Sequence, residues 1–290
     1  MVDVKDYQSP VRPTWCPGCG NFGIWNAVKR ALAGAGVAPH EVMIVSGIGC
    51  GSKLPDYTRA NGFMSLHGRT VPVATGVKLA NHGLKVLCTH GDGDAYAEGL
   101  GHMLHAARRN IGLVDLVQNN RIYGLTKGQY SPTSDHGRVS KTSPEGAIED
   151  PVNPLALALA AGATFVARSW SGDIPHLSAV IARALQHRGY ALIDVLQPCV
   201  TFDKGHDYDY YRPRVVNVNE EPGYDPADRV AAFARAQEFG ERIPIGILYQ
   251  TEDCPAYEEQ VSELKAGPLA QQPFRVWSED DYEALRREYG

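Results

Sequence analysis

The sequence predicts an α/β fold, with a doubly wound, mostly parallel sheet and a C-terminal arm. Two observations lead to this prediction. Short apolar runs that suit buried strands alternate with longer stretches of helical periodicity. Glycine-rich or polar residues follow several of these runs, as they do where parallel strands end at a ligand crevice.

The predicted elements alternate from residue 22 to residue 196. They are a helix over 22–32, a strand over 42–45, a strand over 86–89, a helix over 95–109, a strand over 113–117, a helix over 155–161, a strand over 164–167, a helix over 174–187 and a strand over 191–196. One further helix is predicted near 226–238. We therefore divide the chain into an α/β domain, residues 1–204, and a C-terminal extension, residues 205–290, that packs on the core or on a partner subunit.

Composition narrows the class of protein. The 290 residues are 43% hydrophobic, enough for a sizeable core, and the net charge of −5 argues against a nucleic-acid partner. The sequence has no apolar window of membrane-spanning length and no apolar segment near Met1. We expect a cytoplasmic protein without membrane spans.

Gly91-Asp92-Gly93-Asp94 follows the strand over 86–89. The glycines let backbone N–H groups approach an anion, and the helix that follows adds the positive end of its dipole. Asp92 would repel a bare phosphate unless a divalent cation lies between them. Asp92, Asn120 and the Ile122 carbonyl supply the hard oxygen ligands that Mg²⁺ prefers. A plain turn with a solvated asparagine pair is the alternative. The spacing of Asp92 and Asn120 resembles the thiamine-diphosphate motif.

The second motif is Trp15-Cys16-Pro17-Gly18-Cys19-Gly20. A zinc ribbon would need a second Cys-x-x-Cys or a histidine pair, and a thioredoxin-like pair would need a preceding strand. An iron–sulfur cluster can take its other ligands from distant loops. Cys50 and Cys199 each follow a predicted strand, so four thiolates could converge at one sheet edge and suit a [4Fe–4S] cluster. We interpret Cys88 as core packing and Cys254 as incidental.

Six motifs in one order narrow the resemblance. They are WCPGCG at 15–20, GIGCGSKLP at 47–55, HGRTVPVATG at 67–76, GDGD at 91–94, YGLTKGQ at 123–129 and QPCVTF at 197–202. Over roughly residues 14–204 the chain resembles the β subunit of 2-oxoacid:ferredoxin oxidoreductases. The resemblance implies a fold that binds thiamine diphosphate and Mg²⁺, and a [4Fe–4S] cluster on the four cysteines Cys16, Cys19, Cys50 and Cys199.

The same resemblance implies the other site residues. The cofactor-binding residues it suggests are Ile48, Gly49, His67, Gly91, Asp92, Gly93, Asp94, Asn120, Ile122, Gly124, Leu125 and Thr126. Lys53 is expected near the substrate carboxylate or the thiamine, His67 near the aminopyrimidine, and Lys127 beside coenzyme A or the substrate. His82, His90, His102 and His105 show no spacing that sets a ligand apart from an ordinary hydrogen-bonding residue, and we interpret them as structural.

The implied reaction is oxidative decarboxylation of a 2-oxoacid, with 2-oxoglutarate as our best prediction. Coenzyme A accepts the acyl group, ferredoxin takes the electrons, and the reverse reaction would fix CO₂. We find no candidate for the glutamate that activates thiamine, so a partner α subunit is expected to supply it, in a complex that pairs again into (αβ)₂. The alternatives are a pyruvate-specific enzyme, a thiamine decarboxylase or synthase without electron transfer, and a zinc-stabilised interaction subunit.

Overall fold

The computed structural model describes residues 2–273 and 276–289. Its α-helices, α1 to α9 in chain order, are Asn21–Gly34, Thr70–Ala80, Leu100–Arg109, Pro154–Ala161, Ile174–Gln186, Tyr208–Tyr211, Arg229–Gln237, Tyr257–Gln260 and Glu279–Tyr289. Its strands, β1 to β10, are Val42–Ser46, Asn61–Met64, Lys85–Gly91, Val114–Asn119, Ile122–Tyr123, Gln129–Tyr130, Phe165–Trp170, Ala191–Leu196, Val215–Asn217 and Ile243–Gln250. Short 3₁₀-helices cover Val4–Tyr7, Pro39–Glu41, Gly51–Tyr57, Val218–Glu220, Ser262–Ala266 and Leu269–Gln271.

Eight of the described strands form one sheet in the order β2-β1-β3-β4-β8-β7-β10-β9, while β5 and β6 form a separate hairpin. The six strands from β2 to β7 in this order pair in parallel. β10 runs antiparallel to β7 and parallel to β9. The predicted mostly parallel α/β fold is confirmed.

Helices cover both faces of the sheet. Successive residues of β8 point to opposite faces of the sheet, and each packs against a different layer of helices. Leu192 packs with α2, α3, α4 and α7 on one face. Ile193 packs with α1 and α5 on the other face. Strands buried on both faces read as continuous apolar runs, which is why the central strands were predictable from sequence.

The helix predicted over 95–109 is interrupted near its start. Asp94–Glu98 forms a π-helical turn, and α3 begins only at Leu100. The wider turn is closed by the Gly99 N–H, which donates to the Asp94 carbonyl at 3.0 Å. A Cβ on Gly99 would lie 2.5 Å from that carbonyl oxygen, so glycine permits the close approach. Such turns are frequent at functional sites.

The C-terminal extension contributes more structure than the single helix predicted for it. The helix near 226–238 is present as α7, but β9 and β10 from the same segment join the main sheet. Pro244 and Gly246 lie inside β10 and obscure its strand pattern, since both residues are rare within strands. The division at residue 204 stays a prediction. None of the helices in the described residues is long and apolar enough to cross a membrane.

Candidate active site

Four neighbouring strands, β1, β3, β4 and β8, end at one edge of the sheet. β1 leads to Cys50, β3 to Asp92, β4 to Asn120 and β8 to Cys199. The carboxyl ends of adjacent parallel strands meet at one crevice. The fold therefore brings the predicted metal-binding and cluster-binding residues to the same side of the molecule.

One cavity at this edge lies among the turns after β1, β3 and β4, and we call it the Gly-Asp-Gly cavity. The residues predicted to bind the cofactor all line it, except Asp92. Gly93 has no room for a side chain, because a Cβ would lie 2.3 Å from the Tyr123 ring. A Cβ on Gly47 would lie 2.2 Å from Asp94 Oδ2. Packing therefore requires glycine at both positions.

Asp92 is fully buried between two glycines that line the cavity. Its Oδ2 accepts hydrogen bonds from the hydroxyls of Ser131 and Thr133. Its Oδ1 accepts a long hydrogen bond from the Asn120 N–H, at 3.4 Å. Burial raises the pKa of Asp92 to about 6, although the two hydroxyl hydrogen bonds oppose the shift. One carboxylate oxygen is thus firmly held, and the other is weakly engaged.

Asp94 lines the cavity, but its carboxylate holds the cavity wall together. Oδ1 accepts the backbone N–H of Gly68 at 2.8 Å and that of Ile48 at 3.3 Å. Oδ2 accepts the Thr70 hydroxyl at 3.0 Å and lies 2.8 Å from Nδ1 of His90. Asp94 therefore fixes the turn after β1 and the turn before α2 relative to each other.

His90 bridges two buried carboxylates. Its Nε2 lies 2.6 Å from Asp115 Oδ1, and Tyr190 donates its hydroxyl to the other oxygen of Asp115. Burial lowers the pKa of His90, but Asp115 and Asp94 outweigh this effect and raise the pKa to about 10. The two carboxylates therefore favour the protonated imidazole, which lies between them. Spacing along the chain does not reveal this role.

His67 is half-buried at the rim of the Gly-Asp-Gly cavity. Its Nδ1 lies 3.0 Å from Oε2 of Glu98, and its Nε2 lies 3.9 Å from Asp94 Oδ1. The ring also stands 5.9 Å from the Tyr123 ring, centroid to centroid. These neighbours orient the imidazole while leaving part of it accessible.

A second cavity, of about 270 Å³, is lined by the four cysteines predicted to bind iron, and we call it the cysteine cavity. Cys16 is exposed, Cys50 is half-buried, and Cys19 and Cys199 are buried. Burial raises the pKa of Cys19 to about 12 and also raises that of Cys50, with the neighbouring thiols adding to both shifts. Metal ligation requires thiolates, so loading this cavity would release protons.

Aromatic packing holds the first cysteine loop in place. The Trp15 ring makes edge contacts with Phe22, Trp25 and Tyr57. Its indole N–H donates to the Cys50 carbonyl at 2.7 Å, which ties the loop before α1 to the turn after β1. Two of the four cysteines are thereby fixed relative to each other by a contact that involves no metal.

Two lysines line the cysteine cavity, and no carboxylate does among the described lining residues. Lys53 Nζ lies 3.4 Å from the Thr14 hydroxyl. Lys127 is exposed and has a left-handed backbone, with φ of 81°, in the hairpin turn between β5 and β6. That conformation costs a non-glycine residue about 1–2 kcal/mol. The Lys127 N–H donates to the Gly124 carbonyl at 3.2 Å, which helps to hold the turn.

The two cavities share a wall. Cys50, Asn120, Gly124 and Leu125 line both of them. In residues 2–273 and 276–289, no three His, Cys, Asp or Glu side chains are grouped to hold a metal ion. The two sites described above are of another kind. At the first, the expected partners of Asp92 are amide and carbonyl oxygens, and at the second the four thiols line a cavity.

Comparison with known proteins decides the family. Residues 42–195 match the family described as thiamine pyrophosphate enzyme, C-terminal TPP binding domain. Residues 199–266 match the family described as the C terminal of the pyruvate ferredoxin oxidoreductase beta subunit. The 2-oxoacid:ferredoxin oxidoreductase subunit beta of Saccharolobus solfataricus is 44% identical over 270 residues, covering 89% of this chain and 88% of that protein. The chain belongs to the β subunits of the 2-oxoacid:ferredoxin oxidoreductases.

Two further relatives have names that specify the 2-oxoacid. The 2-oxoglutarate oxidoreductase subunit KorB of Mycobacterium tuberculosis is 48% identical to this β subunit over 201 residues, or 69% of this chain and 54% of that protein. The solved 2-oxoglutarate:ferredoxin oxidoreductase of Magnetococcus marinus, with 2-oxoglutarate, coenzyme A and succinyl-CoA bound, is 38% identical. Its TM-score is 0.89, over 98% of this chain and 96% of that one. The predicted family and enzyme class are confirmed.

The residues of this β subunit fit a metal–diphosphate group. Gly47 and Gly93 shape a cavity that a side chain at either position would disturb. Asp92 Oδ1 is weakly engaged, and Asn120 Oδ1 accepts the Ile122 N–H at 3.2 Å, which leaves room for a further contact. These are the hard oxygen donors that Mg²⁺ takes.

Proposed function

We propose that this β subunit, with an α partner, oxidatively decarboxylates 2-oxoglutarate to an acyl-CoA and CO₂ and passes the electrons to ferredoxin. The shared wall between the Gly-Asp-Gly cavity and the cysteine cavity is the observation that carries the proposal. An oxidoreductase needs its carbon chemistry beside its electron acceptor. A thiamine decarboxylase or synthase would have no use for four cysteines at that wall.

The two cavities would hold two different groups. Asp92, Asn120 and the Ile122 carbonyl would hold Mg²⁺ with thiamine diphosphate, whose thiazolium ring supplies the stabilisation that decarboxylation requires. Cys16, Cys19, Cys50 and Cys199 would hold a [4Fe–4S] cluster, which accepts electrons singly. The glycine turns bring backbone N–H groups close to the diphosphate, and the buried wall around Asp94 keeps those turns in place.

Three side chains would act on the substrates. Lys53 and Lys127 put positive charge beside a cavity whose described lining has no carboxylate, which suits an anionic 2-oxoacid and the phosphates of coenzyme A. His67 stands at the other cavity, where its accessible ring could bind near the aminopyrimidine. The two lysines would bind the substrate on the cysteine-cavity side of the shared wall. His67 would orient the aminopyrimidine on the other side.

The activating glutamate belongs to the α subunit in this proposal. No glutamate lines the Gly-Asp-Gly cavity among the described residues. Glu98 lies beside His67, yet its side chain is 54% exposed. Ylid formation needs a carboxylate positioned to drive proton transfer through the aminopyrimidine. Exposed apolar side chains near this edge, including Ile48, Leu66 and Leu125, would be covered by the partner. We further propose an (αβ)₂ complex in the cytoplasm, able to run towards CO₂ fixation.

The assembly proposal predicts that the isolated chain is inactive. With thiamine diphosphate, Mg²⁺, 2-oxoglutarate and coenzyme A, it should show no substrate-dependent bleaching of cluster absorbance. Adding the α subunit should restore bleaching, because in this proposal the α subunit supplies the carboxylate that activates thiamine. Bleaching by the chain alone at the rate of the complex would refute the shared site.

The substrate proposal predicts a preference for 2-oxoglutarate over pyruvate. The second carboxylate of 2-oxoglutarate could pair with Lys53. Each 1.4 kcal/mol by which this ion pair stabilises the transition state raises kcat/KM roughly tenfold. The measurement is kcat/KM of the complete complex on both acids. Lys53→Met should remove more of the 2-oxoglutarate activity than of the pyruvate activity. A higher kcat/KM for pyruvate in the unmodified complex would place the enzyme in the pyruvate branch.

A further inference from the structure

The segment after β6 reaches back and closes on Asp92. Ser131 and Thr133 are both only 3% exposed, and both donate their hydroxyls to Oδ2 of the same carboxylate. The Thr133 hydroxyl lies 2.7 Å from that oxygen. These contacts join residues 39 and 41 positions apart in the chain. Two buried donors on one oxygen leave the carboxylate little freedom to rotate.

The other oxygen of the Asp92 carboxylate, Oδ1, has weaker hydrogen-bond contacts. Oδ1 accepts the Asn120 N–H at 3.4 Å, which is beyond the usual range for a strong N–H···O hydrogen bond. A carboxylate held through Oδ2 in this way presents Oδ1 in a fixed direction. The asymmetry separates an anchoring oxygen from an oxygen that can bind a cation.

The same segment is fastened to the turn that carries Asn120. The Ser134 hydroxyl donates to the Arg121 carbonyl, and the Ser131 N–H donates to the Ser134 hydroxyl at 2.8 Å. Thr133 also stands 3.0 Å from the side-chain oxygen of Asn119. The serines and the threonine thus tie Asp92 and the turn after β4 into one buried unit. Both proposed side-chain metal ligands belong to it.

We propose that Ser131 and Thr133 are positioning residues for the metal, which hold Asp92 so that Oδ1 faces the cation. The inference rests on the proposed Mg²⁺ site and adds to it two residues that do not touch the metal. Side chains that orient a metal ligand typically change metal affinity by 10- to 100-fold when they are removed. The hydroxyls of Ser131 and Thr133 therefore determine the Mg²⁺ concentration at which thiamine diphosphate binds.

The test is a Mg²⁺ titration of thiamine diphosphate binding to the complete α–β complex, measured by calorimetry after divalent metals have been removed. Ser131→Ala and Thr133→Val should each raise the half-saturating Mg²⁺ concentration by roughly 10- to 100-fold. Thr133→Ser keeps the hydroxyl and should stay close to the unmodified complex. Thr142→Val, a matched change at an exposed position of the same loop, should have no effect.

Two outcomes distinguish the inference from the function on which it rests. If Asp92→Asn abolishes Mg²⁺-dependent binding while Ser131→Ala and Thr133→Val leave the half-saturating concentration unchanged, the positioning role is wrong and the metal site stands. If Asp92→Asn leaves the titration unchanged, both fail. Should Thr133→Val not assemble, Ser131→Ala carries the test, with the melting temperature of the metal-free complex as the measure of folding.

Discussion

Replacing any one of Cys16, Cys19, Cys50 and Cys199 with serine should abolish the proposed [4Fe–4S] cluster of this β subunit. A hydroxyl is a poor substitute for a thiolate as a ligand to iron, and each cysteine is expected to supply one of the four ligands. The four side chains line one cavity. The measurement is iron and sulfide content of the complex, together with the broad visible absorbance of thiolate-bound iron. We expect both to fall to background in each variant.

Two other cysteines provide matched controls. Cys88 is fully buried in β3, and Cys254 is exposed in the segment after β10. Neither lines the cysteine cavity. Cys88→Ser and Cys254→Ser should therefore keep full iron and sulfide content. Cys88→Ser should also lower the melting temperature, because it buries a hydroxyl in an apolar core. Full iron content in the Cys199→Ser complex would show that the cluster lies elsewhere.

Asp92→Ala should abolish Mg²⁺-dependent binding of thiamine diphosphate. The diphosphate would lose the cation that links it to the chain, and the loss should exceed the roughly 10- to 100-fold expected for residues that only orient a ligand. Calorimetry with the complete complex measures the affinity. Asn120→Ala should weaken binding less, because the carboxylate remains.

Asp92→Ala also removes the carboxylate that accepts the buried hydroxyls of Ser131 and Thr133, and Asn119 Oδ1 stands near enough to accept from Thr133 alone. An unsatisfied buried donor costs about 1–3 kcal/mol, so a loss of affinity could reflect local unfolding. Asp92→Asn controls for this effect, because its amide keeps an oxygen and nearly the same shape. Equal affinity for thiamine diphosphate in the Asp92→Asn and unmodified complexes would show that the cation binds at another site.

The central part of the fold was predictable because its signals are local. The strands β3, β4 and β8 contain short, mostly apolar runs, and each is followed by a turn with glycine, asparagine or proline. Parallel strands carry whatever follows them to one edge. The neighbourhood of Cys50 and Cys199 could therefore be predicted although 149 positions separate them. Glycines at Gly91 and Gly93 indicated the close approach of backbone to ligand.

The sequences of α2 and β10 contain features that favour their observed structure together with features that argue against it. The apolar run of α2 contains Pro72, which suggests a break, but proline is tolerated in the first turn of a helix. β10 contains Pro244 and Gly246, which hide its alternation. The roles of Ser131, Thr133 and His90 depend on contacts between residues 25 to 41 positions apart. Such contacts leave no periodic pattern in a sequence.

The reversed direction of β10 decides where Cys254 lies. β10 ends beside the start of β7, where Thr251 donates its N–H to the Thr164 carbonyl at 2.9 Å. Asn110, just before β4, donates its side-chain amide to the Cys254 carbonyl at 3.2 Å. The exposed Cys254 thiol is therefore at the opposite end of the parallel strands from both cavities. With Cys16 ligated in the proposed cluster, a maleimide-coated electrode that captures the Cys254 thiol would immobilise the protein with its cysteine cavity facing away from the support.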